Sequence, residues 1–215
     1  MTSPDYWPLT GLRLHTEGLE LRLPNAGDLL ALAALAESGV HDPATQPFEA
    51  EWTDVSPAER ALATLRFHWS CWGSWEPARW SLNLVVVRDG AVVGTQGMGA
   101  ENFAKLREVG TGSWLGLDFQ RQGIGTAMRA AVLALAFDGL GAEFARSSAF
   151  AGNPASLGVS RKLGYADDGI DRLLIRGEPV RSQRLRLDRA TWLASSRTEV
   201  RISGLEPCLP LFGLS

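Results

Sequence analysis

Gln120-Arg-Gln-Gly-Ile-Gly125 is the stretch on which the reading of this chain turns. Before it lies Trp114 to Phe119, which has strand character. After it, from Gly123 to Phe137, Ile124, Met128, Ala131, Val132 and Leu135 recur at helical spacing and line one face. The junction therefore reads as strand, glycine turn and amphipathic helix. Glycines at 123 and 125 let the backbone turn tightly and come close to a ligand. The first-turn N–H groups of a helix have no intrahelical partner, so they can donate to phosphate oxygens, and the helix dipole adds to this. Arg121 offers a cation beside them. The plain alternative is a tight turn without a ligand. The third glycine of a dinucleotide fingerprint is missing, as is the Lys-Ser/Thr of a P-loop. Pro154-Ala-Ser-Leu-Gly158 comes nearest to a nucleophile elbow, but it starts with proline.

Working outward, Leu12 to Thr16 and Leu19 to Leu23 alternate apolar and polar residues and read as a strand region around Glu17-Gly18. Asn25 can cap a helix carrying Leu29, Leu32, Leu35 and Ala36, with Asp28 in its first turn and Gly39 at its end. Val40 to Ser56 reads as a loop. Ser56-Pro57 opens a second helix, with Glu59 in capping-box position. Asp89-Gly90 is a hairpin turn between strands Leu82 to Arg88 and Ala91 to Met98. Downstream come a strand at Glu143 to Phe150 and a short helix at Pro154 to Leu163. A hairpin then joins Leu173–Arg176 to Arg184–Leu187, and a tail helix starts at Thr191-Trp192. This order predicts a mixed α/β (α+β) fold, not a doubly wound one. One domain over residues 1–215 is expected, with a core at about 12–192. Residues 197–215 form an appended strand and tail in which Pro207 and Pro210 oppose helix.

The totals narrow the function classes. A formal net charge of -3 with no Lys/Arg run speaks against nucleic acid as a partner. Cys71 and Cys208 are far apart, and His15, His41 and His68 are scattered, so no metal site is expected. The opening Met-Thr-Ser-Pro-Asp-Tyr-Trp-Pro lacks a basic region followed by an apolar one. Leu29–Ala36 and Ala130–Phe137 are too short to span a bilayer. A cytoplasmic protein without a membrane partner is expected. Of eight Trp, five (Trp52, Trp69, Trp72, Trp75 and Trp80) fall in one segment. They serve either as packing residues or as the wall of an acceptor pocket.

One strand beyond the glycine turn stands Asn153-Pro-Ala-Ser156-Leu-Gly-Val-Ser160-Arg-Lys-Leu-Gly164-Tyr165. Joined to Gln-x-x-Gly-x-Gly in this order and spacing, it resembles the GNAT superfamily of acyl-CoA-dependent N-acyltransferases. The two motifs cover about residues 112–166, and the element order fits from Leu12 to Trp192. Gly112-Ser-Trp-Leu-Gly116 and Asn-Pro-Ala-Ser are similar to the branch of ribosomal-protein amino-terminal acetyltransferases, some of whose homologues use other acyl groups, succinyl included. The resemblance implies a mixed sheet of about seven strands flanked by helices, with a V-shaped cleft between two central strands. It implies transfer of an acetyl or similar short acyl group from acyl-CoA to an amine, on a protein or a small metabolite, with a homodimer as the family habit. A succinyl-CoA user of the same fold is one alternative. A non-catalytic acyl-CoA sensor is another, of a different class.

Carried onto this chain, the cofactor contacts are Trp114, Leu115, Leu117, Gln120, Arg121, Gln122, Gly123, Ile124, Gly125, Thr126, Asn153 and Ser156. Backbone groups near Leu115 or Leu117 would pair with the pantetheine arm and hold the oxyanion. Many members place Tyr where this chain has Ser160, so the usual phenolic acid is absent. Ser160 is either a weak donor or simply a helix residue. Candidates for the base are His41 and Asp42 in the Gly39–Pro43 loop, and Glu49 or Glu51 near Trp52, with Glu101 and Glu108 further off. For each acid the alternative is a solvated surface charge, and water could relay the proton without a close base.

Overall fold

The computed structural model describes residues 6–196 and 198–214. The first five residues of the stretch read for an export signal lie outside the described residues, as do Arg197 and Ser215 of the tail. In chain order the elements are β1 (Arg13–Thr16), β2 (Leu19–Arg22), α1 (Ala26–Ser38), α2 (Pro57–Gly73), β3 (Arg79–Arg88), β4 (Ala91–Glu101), α3 (Phe103–Leu106) and β5 (Glu108–Leu115). They continue with α4 (Ile124–Ala134), β6 (Phe144–Phe150), α5 (Pro154–Lys162), β7 (Ala166–Ile175), β8 (Glu178–Asp188), α6 (Arg189–Ala194) and β9 (Arg201–Ser203). The strands form one mixed sheet in the order β7-β8-β6-β5-β4-β3-β2-β1-β9.

The sheet has nine strands where about seven were expected. The first strand region is a hairpin. Glu17 and Gly18 both have positive φ, 39° and 76°, and Thr16 pairs with Leu19 across a two-residue turn. The appended strand β9 then pairs antiparallel with β1 and covers its edge.

A second correction concerns Trp114 to Phe119. The strand is β5, which ends at Leu115, and Leu117–Phe119 is a 3₁₀ turn. The cause lies at Gly116, where a Cβ would stand 2.4 Å from Leu35 Cδ1 on α1. The chain bends there against α1, and the Phe119 N–H closes the turn on the Gly116 carbonyl at 3.0 Å. The first half of β5, Glu108-Val-Gly-Thr-Gly-Ser113, carries two glycines and little apolar alternation, which hides it from a hydropathy reading. The last hairpin is also longer than expected. Its strands pair from Ala166 to Ile175 against Glu178 to Arg186.

Helices cover both faces. α4 packs on β1, β2, β4 and β5, and Ala131, Val132 and Leu133 on it have no solvent exposure. α1 lies on β4 and against α2, and α2 lies on β3. Each fully buried Leu or Val contributes about 1.5–3 kcal/mol relative to an exposed position. The helix starts follow their caps. Asn25 and Asp28 form a reciprocal capping box on α1, and Ser56 and Glu59 form one on α2. No helix among the described residues is long and apolar enough to cross a membrane.

The feature that positions a site is the pairing of β5 with β6. They are the only parallel neighbours among the described strands. Glu108, Val109 and Gly110 pair with Phe144, Ala145 and Arg146, and there the pairing stops. Beyond that point β5 stays with β4 as far as Leu115, while β6 stays with β8 as far as Phe150. The two strands part into a V-shaped cleft.

Candidate active site

The glycine turn stands at the open end of the V. Gly123 caps α4 with φ 81°, in the left-handed region that favours glycine, and has no side chain to satisfy the first-turn N–H groups. The contrast is with α1, α2, α5 and α6, which are capped by Asn25, Ser56, Asn153 and Asp188. A Cβ at Gly123 would meet nothing within 4 Å, so the space above it is open. At Gly125 a Cβ would make ordinary contacts with Val159 at 3.7 Å and Leu115 at 4.0 Å. Arg121 is exposed and takes a left-handed φ of 59°.

The two glutamines serve the loop itself. Gln120 Nε2 donates to the Val40 carbonyl at 2.8 Å and the Leu115 carbonyl at 3.0 Å, tying the turn to α1 and β5. Gln122 accepts from Arg88 at 2.9 Å and donates to the Asp118 carbonyl at 2.7 Å. Ile124 is buried and anchors α4, Thr126 is half-buried, and Leu117 is exposed. Asn153 Oδ1 accepts from the Ser156 N–H at 3.1 Å and so starts α5 beside the turn. What remains for a diphosphate is the α4 N-terminus and the Arg121 cation, a donor set suited to phosphate oxygens.

From this cradle the V leads to a cavity of about 950 Å³. The edge of β5 facing β6 has no strand partner beyond Gly110, so its backbone can pair with an extended arm lying in the cleft. Thr111 to Trp114 of β5 and Arg146 to Ser148 of β6 line the cavity, with β8 closing the far side. Phe48, Trp52 and Trp114 form an aromatic wall, with ring centroids 5.3 and 5.8 Å apart. Of the five clustered Trp, Trp52 alone lines the cavity among the described residues. Trp72, Trp75 and Trp80 pack in the core, and Trp69 is exposed.

A model of the acetyltransferase (GNAT) domain matches residues 18–166. This chain belongs to the GNAT acetyltransferase family. Solved structures share its fold. RimJ of Mycobacterium smegmatis, solved with CoA-disulfide, is 18% identical with a TM-score of 0.70, over 89% of this chain and 98% of that one. RimL, a ribosomal L7/L12 alpha-N-protein acetyltransferase solved with coenzyme A, is 16% identical with a TM-score of 0.62, over 80% and 95%. Ribosomal-protein-S5-alanine acetyltransferase from Vibrio fischeri is 16% identical with a TM-score of 0.61, over 84% and 98%. The chain is thus an acyl-CoA-dependent N-acyltransferase.

The candidate bases of this acetyltransferase are dispersed. His41 spends both ring nitrogens inside its loop, at 2.8 Å from the Asp42 carbonyl and 2.8 Å from Thr53 Oγ1. Asp42 is exposed and holds a turn by accepting from the Ala44 N–H at 2.9 Å. Glu51 is exposed and accepts from the backbone N–H of Arg176. These three lie outside the cavity lining, whereas Glu49 and Glu108 are within it. Glu49 Oε1 accepts from Ser148 Oγ at 2.9 Å and Ser182 Oγ at 3.4 Å. Glu108 is neutralised by Arg186 at 2.7 Å and Arg146 at 3.8 Å. Ser160 is fully buried, and its hydroxyl has no partner among the described residues.

Two features, one lining the cavity and one beneath it, escaped the sequence reading. His68, on α2, is 1% exposed and lines the cavity, and burial pushes its pKa down to about 4, so the imidazole is neutral near pH 7. Its spacing from Thr64 and Cys71, all three on the buried face of α2, was the available signal. The second is Arg129 on α4, which is 4% exposed. Its Nη1 donates to Ser147 Oγ and its Nη2 to Ser113 Oγ, each at 3.2 Å. No carboxylate pairs with it among the described residues. Burial holds its pKa below the ordinary guanidinium value and raises that of the neighbouring Tyr165 phenol.

Proposed function

We propose that this transferase carries an acetyl or similarly short acyl group from acyl-CoA to the amino group of a slender acceptor, either a polypeptide amino terminus or a small amine. The observation behind this is the strap over the cavity. The Val40–Ser56 loop crosses the acceptor side and is tied at its far end to the β7–β8 turn. There Asp54 pairs with the Arg176 guanidinium, and Glu51 accepts from its backbone N–H. Glu49 adds the bonds to Ser148 and Ser182. A lysine on a folded surface would bring its neighbours against this strap. A chain terminus or a free amine enters end-on along the aromatic wall. The activities of RimL and of the S5 enzyme, both on ribosomal proteins, are compatible with such an acceptor.

In this reading the cradle of Arg121, Gly123 and Gly125 holds the diphosphate, and the free edge of β5 as far as Leu115 orders the pantetheine arm and polarises the carbonyl. Glu49, which has no cationic partner among the described residues, attracts the ammonium group. The ammonium group loses its proton to water entering the cavity, while His68, held neutral by burial, adds no positive charge to the site. The resulting free amine attacks the thioester.

Two measurements test the proposal. Calorimetric titration with CoA is expected to give a binding isotherm, and none at millimolar ligand would remove the donor half. Thiol release is then followed with acetyl-CoA and succinyl-CoA against a panel of peptides and small amines. Binding without thiol release from any of them would favour the acyl-CoA sensor instead.

A further inference from the structure

We propose that Ser113 and Ser147, polarised by Arg129, form a hydroxyl pair that stabilises the departing CoA sulfur, the task for which position 160 offers no phenol. The inference rests on the transferase reading above. Ser113 lies on β5 and Ser147 on β6, on the two arms of the V just past the last paired residues, Gly110 and Arg146. Both line the cavity. Arg129 reaches from α4 beneath the gap and bonds both hydroxyl oxygens.

The chemistry of these groups fixes their orientation. A guanidinium has only donors, so each serine oxygen accepts from it and must direct its own proton elsewhere. The cavity is the open side for both. Two O–H donors flanked by one cation are thereby turned toward the cleft. The cation is buried, and among the described residues it has no carboxylate partner and its Nε–H has no hydrogen-bond partner. The adjacent Tyr165 does not supply the missing charge. Its hydroxyl lies 3.3 Å from Thr111 Oγ1, and burial keeps it a neutral phenol. A buried unpaired cation is costly in the resting protein and is offset when an anion forms beside it.

The reaction forms such an anion. The amine lone pair attacks the thioester carbon, and the carbonyl π pair moves to oxygen, where the unpaired backbone edge of β5 can receive it. Collapse restores the carbonyl and expels sulfur with the C–S electron pair as CoA thiolate. The nitrogen, cationic after attack, loses its second proton to water in the cavity, and the serine hydroxyls keep their own protons while hydrogen-bonding the sulfur. The neutral thioester gains little from the cation and the thiolate gains much, so the arrangement favours the transition state over the ground state. Ser113 and Ser147 are then catalytic residues, and Arg129 is a positioning residue acting through them.

The test compares acetyl-CoA with acetyl-seleno-CoA, whose selenolate leaves with less assistance, in single-turnover experiments. Ser113→Ala/Ser147→Ala and Arg129→Gln are expected to slow acetyl-CoA turnover by about 10²-fold while leaving CoA affinity within about threefold. On the selenoester the loss should shrink below about tenfold, and Arg129→Lys should recover part of the rate. Equal losses on both donors, or no loss, would overturn the proposal. If Arg129→Gln does not fold, the serine double variant, which keeps the cation, gives the same readout. A wild-type enzyme that binds CoA but releases no thiol would refute the transferase reading itself, and the donor pair with it.

Discussion

Gly123 is held by its backbone conformation. At φ 81° an L-residue is strained by roughly 1–2 kcal/mol, yet its Cβ would touch no protein atom. Gly123→Val is therefore expected to fold with a modestly lower Tm and to place its side chain where the diphosphate sits. CoA affinity should fall by at least about tenfold in calorimetry. Retained affinity would count against the cradle. His68 makes a different residue-scale prediction. Its pKa is about 4 in the folded chain against an ordinary 6.5, so between these values the unfolded chain binds the extra proton. Stability is full above pH 6.5 and declines as pH falls toward 4, by roughly 2 kcal/mol at pH 5. In urea titrations at pH 7 and pH 5, His68→Leu should remove most of that difference. The two residues also differ in legibility. A glycine that starts a helix announces itself through its neighbours in the chain. The spacing of His68 marks only the buried face of α2, because a histidine there reads the same whether it meets a cavity or a core.

At the scale of elements, the helices were legible and the central strand was not. Asn25 and Ser56 mark their helices because a cap is a contact between residues three apart. β5 was displaced by several residues because Gly116 bends against Leu35, some eighty positions earlier in the chain. The strap is also an affair between elements, joining the α1–α2 loop to the β7–β8 turn through Arg176. These pairs are exposed and add little to stability. Arg176→Ala is thus expected to leave Tm and CoA affinity nearly unchanged while raising the acceptor KM by roughly fivefold, since the lost energy is that of holding the loop in place. A KM unaltered across the acceptor panel would show that the strap does not shape the acceptor site.

For the whole molecule, the tail closes the fold from a distance. β9 covers the β1 edge, and Phe212, fully buried, packs on Trp80 at 4.9 Å and Trp75 at 5.7 Å between ring centroids. Trp75 Nε1 donates to the Leu211 carbonyl at 2.9 Å. Phe212→Ala is expected to cost about 3–5 kcal/mol and to lower Tm by about 10 °C, read by thermal unfolding. A shift of only a degree or two would mean that the tail rests on the core without supporting it. The sequence by itself determined the glycine turn, the helix caps, the α/β order and the family, because these depend on residues close together in the chain. Only the tertiary structure decided that β5 and β6 part after three paired residues. The same holds for Arg129 standing beneath that gap with no carboxylate partner among the described residues, and for His68 and Glu49 facing one cavity. Those meetings join positions 16 to 36 residues apart, and packing alone sets them.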